Sequence, residues 1–158
     1  MLKCFGVLLI LISSIVFGNT LSVRVDEKID LTEALVSLIM YMGASIKTLH
    51  TPISELFEQY NDANLERLKF LEVAAVNGIA EANKLLLGKV SDDVLQAIDY
   101  FADNLGGIDV CAQAELCSYT ENRLREILAR EKELLREKKR MYRVLPFFLG
   151  LSLIIILI

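Results

Sequence analysis

The stretch DVCAQAELCSYTENRLREILAREKELLREKKRMYRVLPFFLGLSLIIILI, residues Asp109–Ile158, decides the fold. It holds one proline and one glycine, Pro146 and Gly150, both near its far end. From Ala112 to Arg143, charged and apolar residues alternate at helical spacing. From Val144 to Ile158 there is no charge at all. Between the halves stand Arg136, Lys138, Lys139, Arg140 and Arg143, opposed only by Glu137. A long helix that turns basic and then becomes hydrocarbon is expected to enter a membrane. The remainder of the chain is expected to fold against its water-exposed half.

The apolar half is short. Val144–Ile158 is fifteen residues, against the roughly 20 that span a bilayer core. Beginning at Met141, with Arg140 and Arg143 snorkelling to the surface, lengthens it. Twelve of its residues are Leu, Ile, Phe or Val, and together they contribute about −4 to −7 kcal/mol of insertion free energy. Pro146, Gly150 and Ser152 offset part of this. A buried core helix is the competing reading, but nothing polar follows to return the chain to water.

The hydrophobic content of the 158-residue chain is 54%, high for one soluble domain of this size. A second uncharged run, Cys4–Val23, accounts for the rest of the excess. It is long enough to span a bilayer. It also fits a secretory signal, with Lys3 as its basic start and Val16-Phe17-Gly18 as a weak cleavage site. A cleaved signal would put the Arg136–Arg143 cluster outside, against the positive-inside rule, so an uncleaved anchor is preferred. The expected organisation is an N-terminal transmembrane anchor over 1–24, a cytoplasmic helical domain over 25–143 and a C-terminal transmembrane segment over 144–158.

The formal net charge of −4 conceals an asymmetry. Residues Asp26–Glu115 carry a net −10 and residues Leu116–Arg143 a net +4. The basic collar is expected at an anionic membrane surface, where each Lys or Arg contributes about 1 kcal/mol. The acidic remainder reads first as a solvated face and second as a face for a basic partner.

Leu31, Leu35, Leu38, Ile39, Met42, Ile46 and Leu49 recur every three or four residues and predict a helix, with Asp30 or Thr32 able to cap it. Thr51 reads as the N-cap and Pro52 as the first residue of a short helix with Ile53, Leu56, Phe57 and Tyr60 on one face. Asn61-Asp62 breaks it. A third helix is predicted over Ala63–Val76 with a stripe of Leu65, Leu68, Leu71 and Ala75, ending at Asn77-Gly78. A shorter helix follows over Ala80–Leu87, then one over Asp92–Leu105 capped by Ser91 and terminated by Gly106-Gly107. Asp109 caps the long helix. With no hairpin-like run and short connections, the fold class is all-α, an up-and-down antiparallel helical bundle flanked by transmembrane helices.

Little in the chain points to chemistry. The single histidine, His50, has no Cys, His or carboxylate cluster around it and reads as a surface or capping residue rather than a ligand. Cys111 and Cys117 fall on different faces of one helix, so they form neither a metal pair nor a redox motif. Cys4 reads as a small hydrophobe in the first apolar run. Leu105-Gly106-Gly107 follows no strand and is no phosphate loop. Tryptophan is absent and aromatics are few, which disfavours a nucleic-acid stacking platform. No catalytic, cofactor-binding or metal-binding residue is assigned, and no cofactor is expected. An interaction module is the better reading.

Four places together resemble the stage III sporulation protein AB family of endospore-forming bacteria. The start, Met1-Leu2-Lys3 before an apolar run, is similar to that family's anchor. His50-Thr51-Pro52-Ile53 resembles its His-Thr-Pro-Leu helix start. Leu105, Gly106, Asp109 and Gln113 match its Leu-Gly-x-x-Asp-x-x-x-Gln pattern. Lys139-Arg140-Met141-Tyr142-Arg143-Val144-Leu145, followed by Gly150 and an Ile/Leu tail, resembles its Lys-Met-Tyr-x-Ser-Leu-Gly ending. There are departures: Ser45-Ile46-Lys47-Thr48 stands where the family has Glu-Ile-x-Tyr, Pro146 replaces a glycine, and a tryptophan is missing near Asn83.

The resemblance implies a domain similar to that of the type II secretion inner-membrane platform protein. It implies a place in the channel complex joining mother cell and forespore, in the mother-cell membrane around the forespore. The implied partners are the other membrane proteins of that complex and the secretion-type ATPase, stage III sporulation protein AA; no nucleic acid is implied. From the residues alone, a membrane-tethering or pore-forming protein remains open, although the apolar tail lacks the polar stripe of a water-lined pore.

Overall fold

The computed structural model describes the backbone of residues 26–48, 53–106 and 109–157, and the side chains of 26–48, 55–106 and 109–136. The first apolar run, Leu49, His50, Thr51, Pro52 and Gly107 lie outside the described residues, as do the side chains of Ile53 and of Lys138 through Arg143. Every regular element among the described residues is helical and none is a strand. The chain divides into two compact units. Residues 28–130 make one, and residues 1–27 with 131–158 make the other.

Within the unit 28–130, helix α1 covers Asp26–Thr48 with its first two residues in the other unit. It is followed by α2 (Ile53–Gln59), α3 (Ala63–Arg67), α4 (Phe70–Asn77), α5 (Ile79–Asn83), a single 3₁₀ turn (Lys84–Leu86), α6 (Asp92–Asn104) and α7 (Val110–Leu157), which leaves the unit after Arg130. Leu31, Leu35, Leu38, Ile39, Met42 and Ile46 are all buried, so the expected α1 stripe is the face that faces the core. Among the described residues, α1 is the one helix long and apolar enough to cross a membrane. Its place in the core cluster accounts for that composition. On α6 the core face is Val94, Leu95, Ala97, Ile98 and Phe101. On α7 it is Ala114, Cys117, Thr120, Leu124 and Ile127, again at spacings of three and four.

Several local expectations need correction. Asp30 and Thr32 do not cap α1, because the helix is already formed at Asp26. Buried Thr32 instead donates its hydroxyl back to the Lys28 carbonyl at 2.9 Å, which satisfies it inside the helix. Ala63–Val76 is not one helix. Lys69 sits in the left-handed region at φ 57°, and α3 and α4 are separate helices on either side of it. Leu65 on α3 and Phe70 on α4 are both fully buried on either side of this turn. Asp62, read only as a breaker, caps α3: its Oδ1 accepts from the backbone N–H of Asn64 (2.9 Å) and Leu65 (3.2 Å).

Ser91 occupies the N-cap position of α6 but makes no side-chain cap bond, and its buried hydroxyl has no partner. Its carbonyl does the work by accepting from Val94 and Leu95 N–H, both at 3.1 Å. Gly78 at φ 87° separates α4 from α5, as the Asn77-Gly78 pair implied.

Candidate interaction surfaces

The Leu105–Gln113 motif is the connection between α6 and α7. Leu105 ends α6 in an extended conformation and packs half-buried against the core. Gly106 takes φ 91°, open to glycine and strained for other residues. Asp109 then caps α7, its Oδ1 accepting from Ala112 N–H at 2.7 Å, while its carbonyl accepts from Gln113 N–H at 2.9 Å. Leu105 and Gly106 thus end α6, and Asp109 starts α7. The other family-motif positions, His50, Thr51, Pro52, Met141 and Tyr142, lie outside the residues whose side chains are described. Of the collar, Arg136 is exposed on α7; Lys138, Lys139, Arg140 and Arg143 are on the same helix, without described side chains.

Cys117 and Tyr60 are shifted by their surroundings. Burial pushes the Cys117 thiol up to about 11, the Glu121 carboxylate adding to the rise. A thiol held protonated in this way is a packing group rather than a nucleophile. Cys111 is exposed. Burial also raises the Tyr60 hydroxyl, with the nearby Asp62 carboxylate contributing, and its ring packs tilted against Tyr41 with centroids 5.2 Å apart. Buried Asn83, which no sequence pattern singled out, donates from Nδ2 to the Leu95 carbonyl (3.0 Å) and to Asp99 Oδ1 (2.6 Å). These bonds tie α5 to α6. Among the described residues no group of His, Cys, Asp and Glu has the arrangement of a metal site.

Two surface regions stand out. On α6 and α7, Tyr100 and Tyr119 are 51% and 59% exposed, with ring centroids 5.8 Å apart, and Asp93, Gln96 and Arg123 line the groove beside them. Exposed Tyr with Arg is the composition of protein-binding hot spots. On the other elements, a groove of about 460 Å³ runs between α2 and α4, lined by Phe57, Tyr60, Leu71 and Ala75 with Glu58, Glu66, Lys69 and Glu72. A second of about 260 Å³ continues from it past Ala74, Gly78 and Ile79 to Ala102 and Leu105. Neither region was legible beforehand, because each depends on how successive helices pack side by side, which no local pattern states. The surplus of acids before Glu115 was the one available signal.

No curated protein and no solved structure matches the chain. The family model of stage III sporulation protein AB matches residues 3–158. That span takes in both uncharged runs, the α6–α7 connection and the basic collar. The chain belongs to the stage III sporulation protein AB family, and its role is in sporulation.

Proposed function

We propose that the chain is a non-enzymatic, membrane-anchored platform in the secretion-like channel complex between mother cell and forespore. The unit around residues 25–143 is its cytoplasmic part, an antiparallel bundle of the kind found in the type II secretion platform protein. Residues 1–24 and 144–158 hold it in the mother-cell membrane around the forespore. Its partners are the other membrane proteins of the complex and the secretion-type ATPase, stage III sporulation protein AA.

The observation that carries this reading is α7. It is one helix from Val110 to Leu157. It begins as a core helix through Cys117, Leu124 and Ile127 and ends in a stretch without charge. The collar from Arg136 to Arg143 falls where the solvent requirement changes. A helix of this kind couples a folded domain mechanically to a bilayer, which is what a platform requires. The polar groups near the core serve packing, capping and helix pairing, which leaves recognition to the surface.

The test is affinity capture of the full-length chain from sporulating cells in mild detergent. Recovery of the ATPase together with the channel's membrane proteins is expected. Recovery of the chain free of both, from cells that make the complex, would contradict the platform reading.

A further inference from the structure

The two grooves on α2 and α4 share Phe57 and Ala75, so they form one trough. Its floor is apolar, and several of its lining residues are Ala or Gly, which lets another backbone come close. Its rim carries Glu58 from α2, Glu66 from α3 and Glu72 from α4, with Lys69 the basic residue beside them. All four are exposed. Val76, next along α4, is 82% exposed.

We propose that this trough docks a basic amphipathic helix of a partner protein. Its apolar side chains, spaced three and four apart, lie on the floor against Phe57 and Ala75. Its Lys and Arg residues meet Glu58, Glu66 and Glu72. The rim decides the class of partner. Carboxylates repel the phosphates of nucleic acid and the headgroups of anionic lipid. A β-strand peptide would need a sheet edge, and the described residues contain no strand. The left-handed turn at Lys69 has a part in this: it sets α3 and α4 at an angle, so that Glu66 and Glu72 border one trough. The trough lies wholly within residues 28–130 and does not depend on the membrane-platform reading.

The experiment is a fluorescence-anisotropy titration of the full-length chain in detergent micelles. The probes are two synthetic helical peptides with one leucine pattern, one bearing lysine and the other glutamate at the polar positions. The lysine peptide is expected to bind and the glutamate peptide not to. The double variant Glu66→Lys with Glu72→Lys should weaken binding by about tenfold or more. Glu115→Lys with Glu126→Lys, the same charge change on exposed positions of α7 outside the trough, should change it by less than about twofold. Circular dichroism of both variants separates lost binding from lost fold. In case the trough variant unfolds, Ala75→Glu blocks the floor without reversing the rim and should also abolish binding.

Equal loss in both double variants would reduce the attraction to general charge and overturn the proposal. So would absence of binding by the lysine peptide. Self-association of the chain that the trough variant abolishes, with no peptide binding, would assign the trough to a second copy instead. A failed titration leaves the capture of channel partners untouched, so the two readings fail separately.

Discussion

Gly43 on α1 and Cys117 on α7 approach so closely that a Cβ on Gly43 would lie 3.0 Å from the Cys117 Cβ. Cys117 is buried there, and its Cβ is fixed to the helix backbone and cannot swing aside. This contact sets the spacing of the two longest helices. Replacing Gly43 by Leu should cost about 1–3 kcal/mol through overpacking. Ala44→Leu, one residue along on the exposed side of α1, should change stability by less than about 0.5 kcal/mol. Urea denaturation of the two full-length variants in micelles checks this, and similar losses in both would remove the packing explanation.

The same cysteine gives a pH dependence. Its thiol is raised from an ordinary value of 9.0 to about 11 by burial. Below about pH 9 the folded and unfolded chains both hold the proton, and the contribution to stability is complete. Between about pH 9 and about 11 the unfolded chain releases the proton while the folded chain keeps it, so stability falls. Cys117→Ala keeps the Cβ and removes the titration. Its stability should therefore decline less steeply than that of the native chain over this interval, measured by denaturation at each pH.

Asp62 should matter more than its place in a turn suggests. Asp62→Ala removes both cap bonds to α3 and should cost about 0.5–2 kcal/mol. Asp62→Asn keeps an acceptor oxygen and should recover most of the loss. Equal melting temperatures for Asp62→Ala and the native chain would mean that the cap contributes nothing.

Asn83 is the polar bond between α5 and α6. Asn83→Ala removes the added bond to the buried Leu95 carbonyl together with the bond to Asp99 and should cost about 0.5–1.5 kcal/mol. Asp99→Ala breaks only the more exposed of the two bonds and should cost less. The order of the two losses, read from denaturation midpoints, is the test.

These positions mark the limit of what sequence periodicity carries. The stripe from Leu31 to Ile46 was legible because a helix face repeats with a fixed period, and its residues are the buried ones. Asp109 and Gly106 were legible because caps and left-handed turns each demand particular residue types. Lys69 was not, since lysine carries no signal for φ 57°. Asn83 and Asp99 lie sixteen residues apart, and Gly43 and Cys117 farther still. Such pairs are chosen by packing, which no local pattern encodes. The trough is the same case, with a rim drawn from three helices.

The proposed function requires the helical unit to lie in the cytoplasm, with the collar at the membrane surface. Cys111 is the reporter, because it is exposed while Cys117 is buried. The measurement is labelling by a membrane-impermeant maleimide in intact bacteria expressing the full chain with Cys4 and Cys117 changed to Ala. The account predicts no labelling of Cys111 in intact cells and full labelling once the membrane is opened. Labelling of Cys111 from outside intact cells would contradict it.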